Sequence, residues 1–458
     1  MNYLKKIFSP SLLVISFFLL IYTFYKSEIY WDGNKKDYFF SYYLISLILV
    51  FLSIITFFIN HKLKQYLIIT VISTVTTLYL FEAYLLFKQQ NSKGQLSINN
   101  QNKEQIYENI TGKKFDNRTR LEILKDFREI NKKIQVTVSP NNYVNKNNPI
   151  FPLSGISNSK TIFCNENGFY TIYESDRYGF NNPDDNWDAD EIEYLLVGDS
   201  FAHGACVNTP NDIGSVLRNL SKKSVLNLGY SGNGPLIEYA TLREYFVKGT
   251  KNIVWIYYEN DLNDLKREIS SQILNKYLSD KDFSQNLILR QNEVNRANKE
   301  LINNLYNINM ELDSLKQHKK DMNKKNQVLK FIRFDSLKTL IKNFSTKKNF
   351  QENKLPFDYF SKILSEAKNF ADMNKSNFYF VYMPSIKNFN SKNFENKNFQ
   401  IIKDLINDLN IEFIDLNNDL FNNFRDPLKF YTFKIGPHLN VNGYKEAAFK
   451  IIESANLK

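Results

Sequence analysis

Four short stretches of this chain carry the residue types that acyl chemistry needs. "VGDSFAHG" (residues 197–204) presents Ser200 directly after an apolar run and before a helical pattern. "NLGYSGNGP" (227–235) presents Gly232, where the lack of a side chain lets a backbone N–H approach a ligand closely. "YYENDLND" (257–264) presents Asn260, an amide donor, and "GPHLNVNGYKEAA" (436–448) presents His438 in a turn before a terminal helix. Acyl transfer requires a hydroxyl nucleophile, a base to take its proton, and preorganised donors for the tetrahedral oxyanion. The set supplies them: Ser200 and His438 as the catalytic pair, with the N–H groups of Ser200 and Gly232 and the Asn260 amide as the oxyanion hole. Each stretch alone is an ordinary turn or a surface histidine. Only the ordered set carries the reading. His203 lies three residues past Ser200, where taking its proton would need unusual geometry, so it is at most a contact to substrate. Asp199 is expected to hold the loop through backbone hydrogen bonds.

These residues must be held by a scaffold, and the pattern around them shows its class. "IEYLLVG", "KSVLNLGY", "KNIVWIYYE", "NFYFVYMP" and "IEFIDL" are strand-length apolar runs. Helical patterns lie between them: "TPNDIGSVLRNL", with Thr209 as N-cap and Pro210 in the first turn, "PLIEYATLREYFV" and "NFQIIKDLIND". The alternation predicts an α/β domain over 191–458, a parallel sheet covered by helices on both faces. In such sheets ligands gather where strands end, and all four stretches sit at such points.

The alternation breaks over 265–352. There Val294, Leu301, Ile308, Leu315, Met322 and Leu329 fall seven apart, with Leu305 and Leu312 at the intermediate seam position. Asn298, Lys319 and Asn326 interrupt that seam. A coiled-coil hairpin, a contact between copies in a homo-oligomer, and an amphipathic helix packed on the domain all fit. Upstream, residues 91–190 read as a polar linker and a small subdomain, with a short helix near 118–132 and a hairpin within 160–187.

The first ninety residues contain three nearly charge-free apolar runs, 7–25, 38–59 and 66–87. Each is long enough to cross a hydrocarbon core of about 30 Å as a helix. Residues 1–90 are therefore expected to be a membrane anchor. Glu82 is the one acid inside a run, near its end, where snorkelling and function are equally reasonable. Lys5, Lys6, Lys62 and Lys64 favour a cytoplasmic N-terminus and second loop, which places residue 88 onward outside. The expected location is a bacterial inner membrane with the domain on its periplasmic side.

The formal net charge of +11 comes from lysines scattered among asparagines, with no zinc-finger, helix-turn-helix or RNA-binding signature, so nucleic acid is not an expected partner. Cys164 and Cys206 are the two cysteines, without metal-type spacing, so neither a metal site nor a cofactor is expected. In an oxidising compartment they are candidates for a disulfide; otherwise they are two buried thiols.

The ordered set of Ser200, Gly232, Asn260 and His438 resembles the SGNH family, the GDSL-type hydrolases, over roughly 190–265 and 375–455. The resemblance implies a flavodoxin-like three-layer domain and a serine hydrolase or O-acyl transferase. Its substrate would be an ester, on an envelope glycan or lipid. The competing reading is a scaffold or glycan-binding module that kept the fold while its site decayed. Two departures bear on that choice. The family's Gly-x-Asn-Asp stands here as Tyr258-Glu259-Asn260-Asp261. The family's aspartate three residues before the histidine stands here as Ile435. Orientation of His438 then falls to a backbone carbonyl, to another acid such as Asp426, or to no group, leaving a serine–histidine dyad.

Overall fold

The computed structural model describes residues 2–33, 35–131, 133–146, 148–319, 331–348, 355–390 and 397–456. The chain forms two compact units, Met1–Gln95 with Asp321–Phe350, and Leu96–Lys320 with Gln351–Lys458.

In the first unit, Lys5–Tyr30, Lys36–Ile55 and His61–Lys88 are helical stretches long and apolar enough to cross a membrane. Their surface is inverted relative to a water-soluble bundle. Phe18 and Phe51 point outward, whereas Ser16 and Ser53 are buried and joined Oγ to Oγ at 3.2 Å. Ser9 Oγ also donates to Thr56 O at 3.1 Å. Small polar residues between helices and large apolar ones outside are how helices pack in hydrocarbon. Glu82 is buried and does not snorkel: its carboxylate accepts N–H bonds from Ser336 (2.9 Å) and Leu337 (2.8 Å), at the start of helix Asp335–Lys348. This part of the expected domain insertion therefore belongs with the apolar helices.

Among its described residues the second unit contains two sheets. The smaller has strands β1 (Gln135–Val136), β2 (Lys160–Ile162) and β3 (Ile172–Glu174), with β2 and β3 antiparallel as a hairpin. The larger has β4 (Tyr194–Gly198), β5 (Val225–Asn227), β6 (Asn252–Tyr258), β7 (Asn377–Met383) and β8 (Glu412–Asp415). All neighbours in it are parallel, in the order β5-β4-β6-β7-β8. That is the doubly wound, flavodoxin-like arrangement, with its switch point beside β4. Successive residues of a strand face opposite sides. Leu195, Val197, Trp255 and Tyr257 join one core, Leu196, Val254 and Ile256 the other. Both sides are covered, which is why these strands read as unbroken apolar runs.

The stretch 91–190, read as a linker and small subdomain, contributes described residues to the core of the larger sheet. The third helix runs on without a break from His61 to Thr111. The next helix, Arg120–Ile130, is closed by a capping box of Thr119 and Glu122. Its Ile123 and Leu124, together with Val136, Leu153, Ile162 and Phe180, enter the same core as Leu195 and Trp255. The asparagines and lysines of the segment hide this, because sparse apolar residues in irregular backbone show no period.

The first part of the insertion is also core: Leu265, Leu274, Tyr277 and Leu287 are fully or nearly fully buried. Helix Gln291–Lys319 starts against the domain through Val294, Leu301 and Ile302. Asn298, which interrupts the seam, is a buried anchor that accepts from Tyr143 Oη (3.0 Å) and donates to Ser154 O (2.9 Å). This half thus matches the amphipathic helix packed on the domain, while Ile308 is exposed. Met322, Asn326 and Leu329 lie outside the described residues.

Candidate active site

Strand β4 ends at Gly198, and Ser200 opens the one-turn helix Ser200–His203. A Cβ on Gly198 would stand 2.5 Å from Ile256 O, so only glycine lets the chain turn here against β6. Asp199 caps the turn: Oδ1 accepts the Phe201 N–H (2.9 Å), and Oδ2 lies 3.1 Å from Ser200 Oγ. Because β5 and β6 flank β4 in parallel, the loops carrying Gly232 and Asn260 leave the sheet at the same edge as Ser200.

His438 comes from the far end of the chain, on the turn before helix Val441–Asn456. Its Nε2 lies 2.9 Å from Ser200 Oγ. Its Nδ1 lies 2.7 Å from Glu166 Oε1, and its backbone N–H reaches Glu166 Oε2 at 3.4 Å. The result is an unbroken carboxylate–imidazole–hydroxyl chain, the geometry that lets a serine lose its proton to histidine.

Glu166 meets His438, whereas Asp426, one of the candidates for that role, pairs with Lys434 at 2.5 Å on the surface. Ile435 offers no acid; the carboxylate that meets His438 comes from the β2–β3 hairpin, whose loop carries Glu166. One sequence signal pointed there. Cys164 precedes Glu166 by two residues, and Cys206 follows Ser200 by six. The two are bridged, with Cα atoms 5.2 Å apart. Asn167 Nδ2 donates to Cys206 O (2.5 Å) and Asn165 Nδ2 to Asp116 O (2.6 Å), so the loop is fastened on both sides of the acid. Glu166, Cys206 and His438 bring ligand-type atoms together. The sulfur is bound in the bridge and the other two are bound to each other, so the group does not fit a metal.

Burial pushes the Glu166 carboxyl up, but the neighbouring His438 and the more distant Lys103 outweigh it and hold it below the usual glutamate value. For His438 burial acts downward, and the charges of Glu166 and Asp199 overcome it, raising the imidazole above its ordinary value.

The Gly232 loop is held from several directions. Tyr230 N–H donates to Gly198 O (3.0 Å), and Ser139 Oγ (3.2 Å) and Asn141 Nδ2 donate to Gly232 O. Glu268, buried and pushed up to about 8 by that burial, accepts from Gly234 N (2.6 Å) and Leu236 N (3.0 Å). Gly232 has φ +80°, and a Cβ there would meet Ser139 Oγ at 2.5 Å. A further support is His203, wholly buried and so not a substrate contact. It stacks on Phe163 (4.1 Å) and Tyr230 (4.7 Å), and its Nδ1 accepts the Ser231 N–H at 3.1 Å. Burial, with Arg120 adding to it, drives its pKa down to about 3, so it stays neutral and accepting. His203→Phe keeps the stacking and removes the acceptor. We expect kcat to fall by up to about 10²-fold, the cost of a misplaced reacting group. KM and the pH profile should not move; a shifted acid limb would show that His203 itself titrates in the reaction.

Asn260 stands at the start of helix Asp261–Glu268 and donates through Nδ2 to Asp264 Oδ2 at 2.8 Å, which orients its amide. Tyr258 stands in the last position of β6, where no left-handed backbone is needed. Its ring packs 4.4 Å from Phe201, which in turn lies 5.0 Å from the His438 ring. The tyrosine thus builds a wall beside the serine turn.

No protein-family model and no curated protein matches the chain. Solved structures do. A protein assigned to the G-D-S-L lipolytic family, from Desulfitobacterium hafniense DCB-2, is matched at 13% identity and TM-score 0.31, over 58% of this chain and 99% of that one. The acetyl xylan esterase AlAXEase is matched at 13% identity and TM-score 0.33, over 57% and 99%. Axe2, an acetylxylan esterase from Geobacillus stearothermophilus, is matched at 11% identity and TM-score 0.31, over 58% and 95%. At these identities the reading of the site rests on the distances above.

The bridge gives a direct test of how the acid is held. Cys164→Ser should destabilise the protein by about 4 kcal/mol, since the bridge closes a chain separation of 42 residues. Ester turnover should fall further than the loss of folded protein explains, because Glu166 rides on the released loop. Thermal melts and kcat measured on the same preparation separate the two effects. Unchanged kcat per folded molecule would mean that Asn165 and Asn167 hold the loop by themselves.

Proposed function

We propose that this chain is a membrane-anchored serine esterase or O-acyl transferase acting on ester-linked acyl groups of envelope glycans or lipids. The observation that carries the reading is the continuous set of hydrogen bonds from Glu166 through His438 to Ser200. In this mechanism His438 takes the Ser200 proton as Oγ attacks the ester carbonyl, and Glu166 stabilises the imidazolium that forms. The Ser200 and Gly232 N–H groups and the Asn260 amide meet the oxyanion. His438 then returns the proton to the leaving alcohol, and water or an acceptor hydroxyl completes the transfer. An extracytoplasmic position is supported by the basic loops and by the Cys164–Cys206 bridge, which suits an oxidising compartment.

A fluorophosphonate probe applied to the full-length protein in detergent tests the reading. Expected is covalent labelling of the wild type and none of Ser200→Ala. An unlabelled wild type would leave a non-catalytic scaffold instead. Alkaline phosphatase fused after residue 95 tests the orientation; an inactive fusion would place the domain inside.

A further inference from the structure

The insertion contains a segment that the Ser200 site does not use. In Phe331–Lys348, Tyr79 of the third apolar helix meets Phe334 and Phe331 with ring centroids 4.3 and 5.3 Å apart. Tyr79 Oη donates to Ile332 O at 3.4 Å. Glu82, one turn further on, accepts the Ser336 and Leu337 N–H groups and so caps helix Asp335–Lys348. A carboxylate at a helix N-terminus satisfies donors that would otherwise be orphaned and complements the helix dipole. The apolar stretch His61–Lys88 has 28 residues, about 42 Å as a helix, against a hydrocarbon core of about 30 Å. With that stretch centred, Glu82 falls about 4 Å inside the core boundary. The capped helix thus begins where hydrocarbon meets headgroups.

Its sequence suits that depth. Leu337, Leu340, Ile341 and Phe344 recur at the spacing of one helical face. Arg333, Lys338, Lys342, Lys347 and Lys348 stand against the single acid Asp335. Ile332 and Ile341 are 52% and 54% exposed, although the segment is fastened to a helix that is itself apolar outside. An apolar stripe with a lysine-rich remainder is the composition of a helix lying in a membrane interface, attracted by anionic lipid.

We infer that residues 335–348 form an in-plane helix that binds a membrane surface through anionic lipid headgroups, fastened at its start by Glu82. The inference rests on the three apolar helices spanning the bilayer, which resistance of the full-length protein to alkaline carbonate extraction checks separately. With Cys164 and Cys206 bridged, Ile341→Cys and Lys338→Cys each add one free thiol for an environment-sensitive fluorophore. The labelled full-length protein is reconstituted in vesicles of phosphatidylcholine, with or without phosphatidylglycerol. Expected is quenching of the label at 341 by brominated acyl chains, and quenching of the label at 338 by aqueous iodide. Added phosphatidylglycerol should strengthen the lipid quenching at 341, and changing Lys342, Lys347 and Lys348 to Gln should abolish that dependence. Iodide access at 341 in carbonate-resistant protein would overturn the inference. So would shielding at 341 without bromine quenching, which means that protein covers the face. Quenching at 341 that ignores phosphatidylglycerol would overturn the anionic partner.

Discussion

Ser200→Ala will lower kcat on a small acetyl ester by about 10⁶-fold, His438→Ala by about the same factor, and the double variant by no more than either. The non-additivity follows from the 2.9 Å contact between Ser200 Oγ and His438 Nε2. A hydroxyl without its base is a weak nucleophile, and a base without the hydroxyl has nothing to activate. The Ser200 side chain is small and partly buried, and its Oγ bonds are to His438 and Asp199, so the alanine variant should keep its melting temperature. Single losses that multiply in the double variant would show that the two groups act in separate steps. Full activity in Ser200→Ala would place the chemistry elsewhere.

Glu166→Gln should cost about 10⁴-fold in kcat, because the amide can offer the wrong group to Nδ1 and does not stabilise the imidazolium. A pH signature accompanies the loss. Glu166 and Asp199 raise the His438 pKa against the opposing effect of burial. The base works only when neutral, so wild-type kcat/KM should rise through an inflection above the usual histidine value of about 6.5. Removing the Glu166 charge removes part of the upward push, and the inflection must move to lower pH. The variant is thus slower yet active further into acid, relative to its own maximum. A pH–rate profile of both proteins reads the two effects together. An inflection that moves up, or a loss within tenfold, would show that Glu166 neither faces nor orients the base.

The fate of individual residues shows how far the amino-acid order reaches. Ser200, Gly232 and Asn260 could be picked out because each follows an apolar strand within a few residues, and parallel strands bring such ends to one edge. The three apolar helices were equally legible, since length and apolarity alone decide whether a helix can cross hydrocarbon. Asn298 was misleading, because a polar residue breaking a seam looks the same whether it is solvated or bonded to Tyr143 and Ser154 in the core. Asp426 was one candidate to orient His438, and its partner is Lys434. His203 had the right type and a suggestive position, yet burial between two aromatic rings made it a neutral acceptor for Ser231.

By itself the sequence determined the alternating α/β grammar, three apolar helices, and the Ser200 and His438 that the fold brings within 2.9 Å of each other. These follow from periodicity and from residues adjacent to strand ends, both local properties of the chain. Only the tertiary structure decided that Glu166 orients His438 across 272 positions, that Glu82 caps a helix 254 positions away, and that the two cysteines meet. Such contacts depend on where whole elements come to rest. A carboxylate, an imidazole or a thiol has the same identity in the chain whatever stands opposite it in the fold, so its partner is set by packing and not by spacing.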